Sequence, residues 1–238
     1  MKASSSLIKA FVLVIALLFT MPLFAAPAQI IILRHGEKRN EFDLCATGKL
    51  RSKALTEYYL GQGAKSSLFT LSPPAAFFAI TLHTLEFIGP IAGTWKMPVI
   101  AYVVQASHKS PSALTQSLNQ QTQELAKGLF ENPYWNGKTV VLSWEHFHIA
   151  NAELEKSFPN QEVTLRQLLK LDTLKDPKVP KTWPDSNYDY FWIIHYNADG
   201  LPEKFEVVQQ IFGSAYPKVP TNKWGEPEPS SILSTCIP

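Results

Sequence analysis

Ile30-Ile31-Ile32-Leu33-Arg34-His35-Gly36-Glu37 is the stretch on which the reading of this chain turns. A short, continuous apolar run rich in β-branched residues, with no polar alternation, is the pattern of a strand buried on both faces. It stops abruptly at Arg34-His35-Gly36, so three chemically pointed residues sit where a strand opens into a loop. Two further runs repeat the pattern. Thr139-Val140-Val141-Leu142-Ser143-Trp144 follows the turn signal Asn136-Gly137 and exits into Glu145-His146. Tyr190-Phe191-Trp192-Ile193-Ile194 leads through Asp199-Gly200 into Lys204-Phe205-Glu206-Val207-Val208, its expected hairpin partner. Between the strands, residues 48–60 and 112–130 carry apolar residues at helical spacing. Strands alternating with helices predict an α/β protein, a three-layer α/β/α sandwich around a mixed, mostly parallel sheet. Ligands of such sheets collect at the carboxyl ends of the strands. That rule draws attention to the histidines at two strand exits.

The chain opens with Lys2 and Lys9, an apolar run from Phe11 to Phe24, and small residues at Ala25, Ala26 and Ala28. This is the layout of a secretory signal peptide, expected over residues 1–28. The apolar run is shorter than the roughly 20 residues needed to span a bilayer, so no membrane anchor is expected after cleavage. Residues 29–238 then suit one domain, in the periplasm or secreted, with a proline-rich and loosely held tail from about 217 and a surface loop over residues 175–187. The formal charge of +2 shows no basic excess of the kind nucleic acid demands, and a small-molecule partner is the better expectation. The two cysteines, Cys45 and Cys236, can pair in an oxidising compartment, but their number alone does not decide whether they do.

At the first strand exit the chemistry is specific. A histidine nitrogen can accept a phosphoryl group covalently, and a neighbouring guanidinium can hold two phosphate oxygens at once. Gly36 is expected to let the backbone pass close to a ligand. The chain resembles the histidine phosphatase superfamily, the group of cofactor-dependent phosphoglycerate mutase and many small phosphatases, whose signature is this Arg-His-Gly after the first strand. Thr47-Gly48 with Arg51 and Leu55 resembles the family's turn into a helix. Gly137 to Val141 leading to Trp144-Glu145-His146 resembles the strand and second histidine of a bacterial and fungal branch, and Tyr188-Asp189 before Trp192-Ile193-Ile194 resembles its late strand. The matches run in order from Ile30 to about Phe212, as in an exported bacterial member with a phosphoglycerate mutase-like fold.

The resemblance implies roles. His35 is the expected nucleophile, Arg34 the phosphate clamp, and His146 the donor on the far side of the phosphoryl group, with no metal and no cofactor. Family members carry a second phosphate-binding arginine after the second strand, where this chain offers His83. A histidine cannot form the bidentate fork. If such a contact is worth about 1.5–3 kcal/mol, its loss costs roughly ten- to a hundredfold in rate. Arg39 or Arg51 could compensate. Glu145, Glu37 and Glu86 are the candidate general acids, with Glu145 preferred although strand alternation would turn it away from His146. The expected activity is hydrolysis of a small phosphate monoester. The alternative is a weak or inactive member of the fold that binds a phosphorylated ligand.

Overall fold

The structure is a computed structural model, and it describes residues 26–104, 110–175, 179–227, 229 and 236. The expected signal peptide therefore lies almost wholly outside the described residues. Among those residues no helix is long and apolar enough to cross a membrane.

Six strands form one sheet, in the order β3-β2-β4-β1-β5-β6: β1 (Gln29–Arg34), β2 (Pro74–Ala79), β3 (Val99–Ala101), β4 (Thr139–Trp144), β5 (Tyr190–Tyr196) and β6 (Pro202–Gln209). The first four are mutually parallel where they pair, and β5 and β6 close one edge as an antiparallel hairpin. The protein is thus an α/β fold with a mixed, mostly parallel sheet, as the sequence predicts. The unbroken apolar run of β1 has a direct cause. Ile30 and Ile32 enter one core and Ile31 and Leu33 the other, all fully buried. At roughly 1.5–3 kcal/mol per buried aliphatic side chain, a polar residue at any of the four would be costly.

One face of the sheet is covered by α1 (Ala46–Leu55) and α2 (Leu82–Thr94), through Ala54, Leu55, Phe87, Ile88 and Ile91. The other is covered by α3 (Pro111–Glu131) and the short helices α4 (His146–Ile149), α5 (Ala152–Ser157) and α6 (Leu165–Leu168), through Leu118, Leu125, Leu129, Ile149 and Leu165. Helix α3 starts where expected: Ser110 caps it by accepting from the Ala113 N–H, and Pro111 takes the first turn, where its missing N–H costs nothing. The helix expected over residues 48–60 is α-helical only to Leu55 and continues as a wider π-type turn over Thr56–Leu60.

Two stated expectations are corrected, and strand β2 (Pro74–Ala79) is not among the strands that the sequence predicts. Its proline sits at the strand's first position and small alanines weaken its periodicity, so the signal is faint. The tail from 217 is not loose over its described residues. Asn222 accepts from Tyr190 Oη and Gln209 Nε2 through its carbonyl, Trp224 packs against Trp183 and Tyr190, and Pro220 accepts from Arg51. Gly36 is tight because of the protein's own packing: a Cβ there would lie 2.7 Å from the Phe87 ring and 3.0 Å from the Gly48 Cα.

Cys45 and Cys236 are joined as a disulfide across a sequence separation of 191. A cross-link closing so long a loop removes much chain entropy from the unfolded state, typically about 2–4 kcal/mol of stability. Urea unfolding with and without reductant is expected to differ by that amount. Equal midpoints, or two free thiols titrating in the native protein, would contradict the bridge.

Candidate active site

Three parallel strands end at one level, because Leu33, Ser143 and Ala79 are in register. The residues that follow them converge. His35 leaves β1, with its N–H donating to the Trp144 carbonyl at 3.3 Å. Thr81 leaves β2 and caps α2, placing His83 in that helix's first turn. Glu145 leaves β4 and is the N-cap of α4, with His146 its first residue. The rings of His35 and His83 have centroids 4.6 Å apart, and those of His35 and His146 6.1 Å apart. Alternation along β4 does not separate Glu145 from His146, since the chain turns into α4 at this point and both side chains reach the cluster.

The hydrogen bonds set the state of each imidazole. His35 Nδ1 lies 2.7 Å from the Gly36 carbonyl, which can only accept, so the proton of the neutral ring sits on Nδ1 and the Nε2 lone pair is free. Burial lowers the His35 pKa well below that of an ordinary histidine. Its Nε2 is buried without a hydrogen-bond partner, 3.4 Å from Glu145 Oε2. Both nitrogens of His83 face acceptors: Nδ1 the Glu41 carbonyl at 3.0 Å and Nε2 the carboxylate of Glu145 at 2.5 Å. An imidazole with an oxygen partner on each nitrogen thus stands where the resemblance leads one to expect arginine, and Thr81 Oγ1 donates to Glu145 Oε1 at 3.0 Å.

Glu145 therefore occupies the space between His35 and His83 with an anion of the protein's own. Burial favours its neutral form, but the neighbouring His35 and His83 outweigh it and hold the carboxyl well below its usual range. In this arrangement Glu145, the preferred candidate general acid, is a carboxylate.

Arg34 is 1% exposed and its Nη1 donates to the backbone carbonyls of Pro184, Asp185 and Asn187, while its guanidinium stacks 3.8 Å over the Tyr188 ring. Its Nε is buried without a partner, which leaves a donor for an oxyanion. His146 Nε2 lies 3.0 Å from Asp185 Oδ1, and its Nδ1 is buried without a partner. Asp185 is a site residue that sequence reasoning missed, because the proline-rich stretch 175–187 reads as surface, and Tyr188 was noted only as the approach to a late strand, with no part in the site. Buried Trp183, whose Nε1 donates to the Asn187 carbonyl, anchors that loop under the cluster.

Two other expected residues are elsewhere. Arg39 is exposed and pairs with Asp43 at 2.9 Å, outside the cluster, so it is no phosphate ligand in this arrangement. Arg51 is buried but spent on Glu37, at 2.6 Å from Nη2 to Oε1, which also removes Glu37 as a free acid. Glu86 accepts from the Leu44 N–H and pairs with Lys49. One ligand-type atom from each of His35, Glu145 and His146 lies within 4.8 Å of the others, a donor set that a divalent cation could also use.

Burial pushes the pKa of His146 and of its neighbour His148 down to about 4. These are bases depressed by folding, so the unfolded chain takes up protons that the native chain refuses. Stability is full above about pH 6.5 and falls as pH drops towards 4, by roughly 3 kcal/mol for each ring. His35 acts in the same direction. Urea midpoints measured from pH 7.5 to 4.5 are expected to fall steeply; a flat profile would contradict neutral buried rings.

Comparison with models of known protein families and with curated proteins finds no match for this chain.

Proposed function

We propose that this protein hydrolyses phosphate monoesters through a phosphohistidine on His35. The observation that carries the reading is the free, inward-facing lone pair on His35 Nε2, fixed by the Nδ1 contact to the Gly36 carbonyl. Around it stand Arg34 with an unused Nε, His83, and His146 backed by Asp185. A nucleophile flanked by a guanidinium and two imidazoles is an arrangement that can stabilise charge on a transferring phosphoryl group.

The phosphate takes the place between His35 and His83 that the Glu145 carboxylate holds, and Glu145 swings aside by side-chain rotation. Next to a phosphate dianion its pKa rises by like-charge repulsion, which makes it able to donate a proton. His35 Nε2 then attacks phosphorus, the bond to the ester oxygen breaks, and Glu145 protonates the departing alkoxide. In the second half, Glu145 takes a proton from water, water oxygen bonds to phosphorus, and the N–P electron pair returns to Nε2. The dianion also favours a proton on His146 Nδ1, whose charge Asp185 supports from the Nε2 side.

Purified protein without its first 28 residues is expected to hydrolyse p-nitrophenyl phosphate and to keep its rate after dialysis against EDTA. His83→Ala removes a donor beside the phosphate site and is expected to lower kcat/KM roughly tenfold or more. An unchanged rate would remove His83 from the clamp. Loss of activity on chelation, restored by Zn²⁺, would instead favour metal-assisted hydrolysis on His35, Glu145 and His146. One observation favours the binding alternative: His35 is fully buried with Glu145 over it. No turnover above background, with phosphate still binding, would be its signature.

A further inference from the structure

Beside the cluster lies a cavity of about 540 Å³, within the range of small-molecule sites. Its inner end is formed by Thr81, His83 and Glu145, all buried. Its mouth is formed by exposed residues including Glu41 and Glu153. Between the two ends the walls are apolar: Leu82, Val104, Leu114, Leu118, Phe147 and Leu154. Two large aromatic side chains at this cavity, Phe42 and Phe147, are 40% and 44% exposed, an unusual commitment of apolar surface to solvent.

We infer that this cavity receives the alcohol portion of the substrate and that this portion is apolar, so that the substrates are phosphate monoesters of alkyl or aryl alcohols and not of sugars or polyols. The inference rests on the phosphatase reading above. Its own ground is the predominance of large apolar side chains along the described wall, where polar atoms are few, His148 Nδ1 and Lys38 among them, and several are already engaged within the protein. Thr115 Oγ1 donates to the Pro111 carbonyl, His148 Nε2 is taken by Asn119 Oδ1, and Asn151 Oδ1 accepts from the Leu154 N–H as the cap of α5. Sugar hydroxyls placed against these walls lose their water and find little in exchange, and each unsatisfied buried hydroxyl is penalised. A methylene chain loses nothing by leaving water. The charged part of the same substrate lies at the buried end, where the cavity reaches His83 and Glu145 and the His35 ring stands 4.6 Å from that of His83, so one molecule with an anionic head and an apolar tail matches the site.

The test uses the mature protein with n-alkyl phosphates from butyl to octyl, with glycerol 3-phosphate and glucose 6-phosphate for comparison. In parallel, titration calorimetry follows binding of n-butyl- and n-octylphosphonate, which cannot be hydrolysed. The expected result is a rise in kcat/KM of about three- to fourfold per methylene until the cavity is filled. The polyol esters are expected to fall at least a hundredfold below octyl phosphate, and the octyl- over butylphosphonate affinity ratio to follow the same trend. Leu114→Asn is expected to shrink both ratios several-fold. Turnover without chain-length dependence, or with glycerol phosphate as good as octyl phosphate, would overturn this inference and leave the phosphatase reading standing. No turnover of any ester, with octylphosphonate still preferred, would overturn the phosphatase reading and leave the cavity's preference for apolar groups. No turnover and no preference would overturn both.

Discussion

Replacing His35 with alanine is expected to lower hydrolysis of a phosphate monoester on the order of 10⁴-fold or more, to the background rate. The magnitude follows from the role: without Nε2 there is no atom to take the phosphoryl group, and the remaining donors can only bind it. The fold is not expected to fail with it. The His35 ring is bonded to its own neighbour Gly36 and lies 3.4 Å from Glu145, whose carboxylate keeps its bonds to Thr81 and His83 when the ring is removed. A near-native melting temperature together with lost activity is the expected pair of observations. Activity retained within tenfold would mean that His35 is a structural histidine whose position at the strand exit is coincidental.

Glu37→Gln is expected to do the reverse, harming stability far more than chemistry. Glu37 and Arg51 are both essentially inaccessible to water, and three contacts of 3.2 Å or less join them. An amide cannot neutralise the guanidinium. Breaking one side of a buried pair leaves an uncompensated charge and costs about 3–5 kcal/mol, which in a domain of this size lowers Tm by roughly 10 °C. Arg51 also donates to the Pro220 carbonyl, so its displacement loosens the segment that runs towards the disulfide. Specific activity of the folded fraction is expected to change little. If activity collapses while Tm holds, Glu37 is an acid of the reaction and the pairing with Arg51 is incidental. Glu37→Leu combined with Arg51→Met, which removes both charges, is expected to recover part of the lost stability.

Much of the fold was legible because burial on both faces leaves an unmistakable trace. The apolar runs of β1, β4 and β5 have no alternation to confuse with a surface strand, and the Asp199-Gly200 turn sits in the connection between β5 and β6. Strand β2 was illegible for the opposite reason: Pro74, Ala75 and Ala76 have weak strand preference, and pairing with β4 forms the strand regardless. The site was half legible. His35, Arg34, Glu145 and His146 are adjacent to strand ends, where sequence order implies spatial convergence. His83 was placed by position, but its two-sided hydrogen bonding depends on the Glu41 carbonyl, which no local pattern announces. Arg39 misled because closeness in sequence to the motif is not closeness in space: the chain turns outward after Lys38, and Asp43 takes the guanidinium. Asp185 was hidden in a stretch whose prolines signal a loop, since composition reports that a segment is irregular and not which face of the protein it covers. The tail misled likewise, because proline-rich chain can pack as tightly as helix when aromatic residues such as Trp224 hold it.

The central claim concerns one bond, between phosphorus and His35 Nε2. Rapid quenching of the mature protein during turnover of a ³²P-labelled monoester, followed by peptide mapping under alkaline conditions that preserve phosphohistidine, reads that bond directly. The account predicts label on the peptide that carries His35, acid-labile and absent from His35→Ala. Label on another residue, or steady turnover with no labelled protein at any time point, would contradict it.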